Sequence, residues 1–130
     1  MGTAEDVELV RRGYEAFNTG DMASLSGMFA EDAVWHVPGS GVLSGTKHGR
    51  DAILAYFGDL GARTQGNFQA RVEDIVGGEN HTVAIQRTQG TNNGKTLDMA
   101  TVITFVVDGG RITEAREYFE DSAKAADFWT

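Results

Sequence analysis

The chain has 130 residues, which is near the usual size of one folded domain and is long enough to bury a hydrophobic core without disulfide bonds. It contains no cysteine, so a disulfide framework, a thiolate zinc site and a cysteine nucleophile are excluded. Its formal charge of −8 comes from 19 acidic against 11 basic residues, which disfavours binding to nucleic-acid phosphates. The first residues lack a signal-peptide pattern, and no apolar stretch approaches membrane-spanning length. We therefore expect one cytoplasmic domain over residues 1–130 that binds neither nucleic acid nor a membrane.

The N-terminal half is predicted to be helical. Thr3 and Asp6 resemble a capping box that begins a first helix, and Asp21 is expected to cap a short second helix after a stop at residues 18–20. A third helix is predicted over residues 50–62. The apolar residues at helical spacing are Val7, Val10, Tyr14 and Phe17 in the first helix and Ile53, Leu54, Phe57 and Leu60 in the third.

The remainder is predicted to be mostly sheet. A short strand over residues 33–37 ends at Pro38, and the glycine-rich loop that follows is expected to cover the rim of a pocket. Turn sequences rich in Gly and Asn then separate four longer runs, which predicts an antiparallel meander over residues 68–76, 82–91, 96–107 and 111–120. A last helix over 122–128 is expected to close the pocket with Phe128 and Trp129. Helices followed by a meander predict an α+β fold, and a sheet that covers helices and leaves a cavity has to curve.

Strand alternation separates the expected pocket face from the exterior. In the last two strands, the pocket face is assigned to Leu97, Met99, Thr101, Ile103 and Phe105 and to Thr113, Ala115, Glu117 and Phe119. In residues 82–91 it is assigned to the odd positions Val83, Ile85, Arg87 and Gln89. These residues predict an apolar cup with a few polar groups, which is typical of a small-molecule site.

Glu117 and Arg87 are the candidate catalytic residues. Burial in an apolar cup would raise the pKa of a glutamate and a nearby guanidinium would lower it, so the carboxyl group could be tuned for acid–base work. Arg87 is expected either to pair with Glu117 or to stabilise an oxyanion. The alternative is that Glu117 lies in water near a strand end and that Arg87 pairs with a surface acid. The candidate substrate-binding residues are Tyr14, Trp35, Val37, Phe57, Gln89, Met99, Thr101 and Phe119.

The three histidines do not predict a metal site. His36, His48 and His81 lie in different segments with no paired spacing and no cluster of acids beside them. Alternation points His36 away from the pocket face of its strand, which favours a place at the surface or in an interface. His48 would reach a ligand if the rim loop folded inward. We predict no metal and no cofactor.

Several segments resemble the SnoaL-like family, which belongs to the superfamily named for nuclear transport factor two and ketosteroid isomerase. They are FNTGD at 17–21, MFAEDAVW at 28–35, and Gly45-Thr46 followed by GRDAI at 49–53. The run GRITEAREYF at 110–119 is similar to the last strand of that family and of limonene epoxide hydrolase. The resemblance implies a cystatin-like roll, in which three N-terminal helices pack on the concave face of a cone-shaped, strongly curved mixed or antiparallel sheet. It also implies an inner pocket and, commonly, a homodimer through the outer face.

The resemblance further implies a cofactor-independent cyclase, isomerase or hydrolase acting on a small hydrophobic metabolite. Glu117 falls where limonene epoxide hydrolase has a catalytic aspartate, but Gln89 replaces a second acid, and Trp35 and Val37 replace the residues that help hold its water. Val37 also stands at the base position of ketosteroid isomerase, and Tyr14 lies one residue from its tyrosine. SnoaL-type polyketide cyclases close a ring with one pocket acid, a role that Glu117 can serve. A non-catalytic binding protein and a dimeric interaction domain are the alternatives.

Overall fold

The computed structural model describes residues 3–130 as four helices and six strands. In chain order these are α1 (Thr3–Thr19), α2 (Met22–Met28), β1 (Phe29–Val37), β2 (Gly45–His48), α3 (Arg50–Arg63), β3 (Gln69–Gly77), β4 (Thr82–Asn92), β5 (Lys95–Asp108), β6 (Arg111–Phe119) and α4 (Ser122–Phe128). All four predicted helices are confirmed. Over residues 3–130, none of the helices combines the length and the apolar character needed to cross a membrane.

The six strands form one open, mixed sheet in the order β2-β1-β6-β5-β4-β3. Strands β3 to β6 are the predicted antiparallel meander, and β1 pairs with β6 in parallel. Strand β2 lies where the sequence predicts a loop. The sequence does not indicate a strand there, because these largely exposed residues show no apolar alternation. Register shifts interrupt the β3–β4 and β5–β6 pairs, and such bulges bend strands. The predicted α+β class, with helices on one face of a curved sheet, is confirmed.

Two tight turns connect the long strands. Asn93 and Gly94 join the paired residues Asn92 and Lys95, with φ values of 51° and 77°. Gly109 and Gly110 form the turn between β5 and β6, with φ values of 60° and 79°. Both turns require two consecutive residues in the left-handed region, which Asn and Gly adopt at little cost.

The helices cover one face of the sheet. Helix α1 lies on β3 and β4, α3 lies on β1 and β2, and α2 connects them. Helix α1 approaches β3 so closely that a Cβ atom on Gly77 would lie 2.0 Å from Cγ2 of Thr3. Helix α4 buries Phe128, and the next residue, Trp129, packs its ring 5.8 Å from that of Phe68. The core therefore lies between the helices and the concave face, where the sequence predicts a pocket.

Candidate functional site

A cavity of about 80 Å³ lies between the helices and the concave face of the sheet. Most of its wall is apolar, and the aromatic side chains Phe17, Phe29, Phe57, Phe68 and Phe105 form a large part of it. The polar side chains in the wall are Tyr14, Trp35, Tyr56, Gln86, Thr88 and Glu117. An apolar wall with a few polar groups is the usual composition of a small-molecule site.

Glu117 is the sole carboxyl group among the described residues that line the cavity. It lies on the inward face of β6, and the residue is 8% exposed. Its Oε2 atom accepts two hydrogen bonds, from Nε1 of Trp35 at 2.7 Å and from Oη of Tyr56 at 2.8 Å. Strand β1 supplies Trp35 and helix α3 supplies Tyr56, so two elements hold the carboxyl group in one orientation.

The other carboxyl oxygen, Oε1, is available to a ligand. Within residues 3–130, Glu117 forms its side-chain hydrogen bonds through Oε2, and no fully buried side-chain polar atom lacks a partner. Because Glu117 lines the cavity, we infer that Oε1 is open to it. Because Oε2 already accepts two hydrogen bonds, the proton of the neutral acid belongs on Oε1. A ligand would meet either an O–H donor or a carboxylate acceptor at the same point.

Burial raises the pKa of Glu117, because desolvation disfavours the charged form. The hydrogen bonds from Trp35 and Tyr56 and the positive charge of Lys47 oppose that shift without cancelling it. Nζ of Lys47 donates to the backbone oxygen of Leu43 at 2.8 Å and lies 5.2 Å from the centre of the Tyr56 ring. A carboxyl group with a raised pKa is suited to giving and taking protons closer to neutral pH.

A second polar group in the wall begins at Tyr14 on α1. Oη of Tyr14 donates to Oε1 of Gln86 at 2.5 Å, and Nε2 of Gln86 donates to Oγ1 of Thr88 at 2.9 Å. Oγ1 of Thr88 in turn lies 2.8 Å from Oγ1 of Thr101. Burial raises the pKa of Tyr14, and the negative charge of Glu117 adds to the shift, so the phenol remains a neutral donor. This series of hydrogen bonds satisfies polar groups that would otherwise be costly to bury.

The prediction that Arg87 lies beside Glu117 is wrong. Arg87 points to the outer face of β4, where its Nε atom lies 2.6 Å from Oδ1 of Asp98. This hydrogen bond raises the pKa of Arg87 and lowers the pKa of Asp98. Gln89 follows the same alternation and also lies outside the cavity, which corrects its predicted place on the pocket face.

The error comes from the amphipathic pattern of β4. Its outer face carries the half-buried aliphatic residues Val83 and Ile85, which resemble core residues in the sequence. Its inner face carries Gln86 and Thr88, which resemble surface residues but are buried and hydrogen-bonded. A prediction from side-chain polarity alone therefore exchanges the pocket face and the outer face of β4.

The other predicted substrate-binding residues fall into three groups. Tyr14, Trp35 and Phe57 line the cavity together with Glu117. Val37 and Phe119 line a smaller adjacent pocket instead. Met99 and Thr101 are buried but do not line the cavity, which corrects their predicted contact with ligand, and Thr101 supports the wall through Thr88.

Tyr56, Gln86 and Thr88 are site residues that the sequence reasoning missed. Tyr56 lies three residues after Ile53 and four before Leu60, so the helical spacing that identifies the buried face of α3 includes it. Gln86 and Thr88 carry no comparable signal, because their burial depends on the contact with Tyr14, 72 residues away from Gln86 in the chain.

The histidines lie away from the cavity. His36 points outward, as predicted, with its Nε2 atom 2.7 Å from Oε2 of Glu114 and its Nδ1 atom 3.0 Å from Oγ1 of Thr46. His48 is exposed and does not contribute to the cavity wall. Among residues 3–130, no three His, Asp or Glu side chains stand close enough together to hold a metal ion.

Comparison with known proteins relates the whole fold to one family. Residues 10–115 match the SnoaL-like domain. The chain is 37% identical over 125 residues to the uncharacterized protein Rv0034 of Mycobacterium tuberculosis, with 95% of each chain covered. It is also similar to Bal32a, from a soil-derived mobile gene cassette, with 38% identity, 98% of each chain covered and a TM-score of 0.96.

A further similar structure is IdmH of Streptomyces antibioticus, a candidate polyketide cyclase. The two share 25% identity, the alignment covers 95% of this chain and 97% of IdmH, and the TM-score is 0.75. Proteins with cystatin-like and NTF2-like folds also match over nearly the whole chain, which confirms the predicted fold.

Proposed function

We propose, from the premise that this chain belongs to the SnoaL-like domain family, that it is a cofactor-independent enzyme using Glu117 for acid–base chemistry on a small, largely apolar molecule. The observation that carries the proposal is the buried carboxyl group of Glu117, which lines an apolar cavity and is held through its Oε2 atom by two donors, leaving Oε1 for a ligand. The reaction class is proton transfer next to a carbonyl group, as in ring closure by aldol chemistry. The similarity to IdmH, a candidate polyketide cyclase, supports this class.

In this proposal four polar residues of the site have a role. The ionised Glu117 would take a proton from the ligand at Oε1, and the neutral acid would return it from the same atom. Trp35 and Tyr56 would stabilise the carboxylate through Oε2 and keep Oε1 directed at the ligand. The hydroxyl group of Tyr14 donates a hydrogen bond to Gln86. Its oxygen therefore retains lone pairs that can accept a hydrogen bond from a ligand hydroxyl group.

Exchange of the α-protons of cyclohexanone in D₂O, followed by NMR, tests the proposal. This ketone is neutral, has one ring and contains the protons that such a base removes. We expect the wild-type protein to accelerate exchange and Glu117→Gln to lower that acceleration by about 100-fold or more, as is usual when a general base is removed. The rate should rise with pH as Glu117 ionises, with a midpoint above the ordinary pKa of a glutamate.

Glu114→Gln is the matched control, because Glu114 lies on the same strand with its side chain on the outer, solvent-exposed face. It should exchange cyclohexanone at the wild-type rate. Equal rates for the wild type and Glu117→Gln would contradict the role given to Glu117. Tight binding of the ketone without any acceleration would support a non-catalytic binding protein instead.

We further propose that residues 1–130 form one cytoplasmic domain that pairs with a second copy through the outer face of the sheet. Tyr118, which is 50% exposed, lies opposite Val102, and Val102 lies opposite Ile85, so an apolar stripe crosses three strands. Covering such a stripe with its own symmetry mate is the simplest way to bury it. Light scattering should detect a dimer that Tyr118→Asp converts to a monomer, and a monomeric wild type would contradict the pairing. The absence of cysteine fits a reducing compartment.

A further inference from the structure

A second, smaller pocket of about 20 Å³ adjoins the cavity. Its lining includes the apolar side chains of Val37, Leu43, Phe119 and Trp129. Tyr56 is part of the wall of both spaces, and it is the residue that their linings share. The two spaces are therefore neighbours that share an aromatic wall residue.

The two spaces follow one another along the same pair of strands. Trp35 of β1 and Glu117 of β6 line the cavity. Val37 and Phe119, each two residues further along the same face, line the smaller pocket. Because two residues of a strand span roughly 7 Å, the smaller pocket begins about one ring length beyond Glu117.

The size of the cavity gives this arrangement a consequence for the ligand. At about 80 Å³ the cavity is much smaller than an apolar cavity of about 150 Å³ that holds benzene. A single small ring would already fill it. A longer ligand needs additional space, and the adjoining pocket of about 20 Å³ together with the volume released by a smaller side chain at Tyr56 would supply part of it.

The side chain of Tyr56 is held firmly in its place. The residue is 6% exposed, its hydroxyl group donates to Glu117, and its ring packs 6.4 Å from that of Trp35. Nζ of Lys47 lies 5.2 Å from the centre of the ring. These contacts hold the side chain of Tyr56 in one position.

We propose that Tyr56 determines specificity by limiting the length of the ligand, and that the smaller pocket is an apolar subsite of the same site. The proposal rests on the proposed function for the ligand that lies beside Glu117. The subsite would take an uncharged group, such as a second fused ring or a short alkyl chain, because Val37, Leu43 and Phe119 offer it apolar contacts.

The experiment compares the affinities of phenol and 1-naphthol, measured by calorimetry, for the wild type, Tyr56→Phe and Tyr56→Leu. We expect Tyr56→Leu to shift the ratio of the two Kd values at least about 10-fold toward 1-naphthol, because a second ring gains room. Tyr56→Phe keeps the ring and should leave the ratio at its wild-type value. Tyr118→Leu makes the same change on the outer face and should also leave the ratio unchanged.

An unchanged ratio in Tyr56→Leu would overturn the proposal. A crystal structure of that variant gives a second measurement: one continuous cavity supports the proposal, and two separate spaces refute it, even if neither phenol nor 1-naphthol binds. Tyr56→Met replaces Tyr56→Leu if thermal unfolding shows that the leucine variant does not fold. These measurements do not involve turnover. If Glu117→Gln does not slow proton exchange, the binding ratios and the crystal structure still test the role of Tyr56.

Discussion

Glu117→Gln is expected to change how the stability of the protein depends on pH. Burial raises the pKa of Glu117 in the folded protein above its ordinary value of 4.5, whereas the unfolded chain exposes this side chain to water. Between these two pKa values the folded state binds more protons than the unfolded state. The stability contributed by this group is therefore fully present below the ordinary pKa and is lost as the pH rises through the folded pKa.

The magnitude follows from one proton. In the pH window between the two pKa values, the free energy of unfolding should fall by at most about 1.4 kcal/mol per pH unit because of Glu117. A glutamine at this position keeps an oxygen that can accept from Trp35 and Tyr56, but it does not titrate. Subtracting the pH profile of Glu117→Gln from that of the wild type should therefore isolate this single group from the other acids.

The assay is urea unfolding followed by tryptophan fluorescence at intervals from about pH 4 to about pH 8, with linear extrapolation to water. Glu15→Gln, which removes one exposed carboxyl group from α1, is the control and should lack the slope assigned to Glu117. A flat difference between the wild type and Glu117→Gln would refute the burial argument. A difference that rises with pH would show that the folded protein stabilises the charged form.

Two further substitutions test the rest of the site. Tyr14→Phe leaves Oε1 of Gln86 without its donor, and urea unfolding should detect a loss of about 1–3 kcal/mol; an unchanged free energy of unfolding would mean that the network does not stabilise the fold. Arg87→Ala removes an outer-face partner of Asp98 and should leave the rate of cyclohexanone exchange unchanged. A slower rate would contradict the placement of Arg87 outside the site.

Much of the fold could be predicted from local patterns. The Asn-Gly and Gly-Gly turns specify two hairpins because their residues adopt the left-handed conformation readily. Asp21 caps α2 as predicted, with its side chain accepting from the backbone nitrogen of Ser24. Strand β2 escaped prediction because pairing with β1, rather than any pattern of its own, defines it.

The site could be predicted only in part. Alternation along β6 placed Glu117 inside, because its neighbours on that face, Ala115 and Phe119, are apolar. Alternation along β4 failed, because the inward Gln86 becomes compatible with burial only through the distant Tyr14. Local periodicity therefore identifies the buried face of a strand correctly where the buried residues are apolar. It fails where a hydrogen-bond network from another element overrides polarity.

The most direct measurement is an infrared titration of the Glu117 carboxyl group, taken as the difference between the spectra of the wild type and Glu117→Gln. If burial raises the pKa of Glu117 and its Oε1 atom faces the cavity, the midpoint of the loss of the protonated C=O band lies above pH 4.5 and the band shifts when cyclohexanone binds. A midpoint at or below pH 4.5, with a band that does not respond to cyclohexanone, would contradict the placement of this carboxyl group and the chemistry proposed for it.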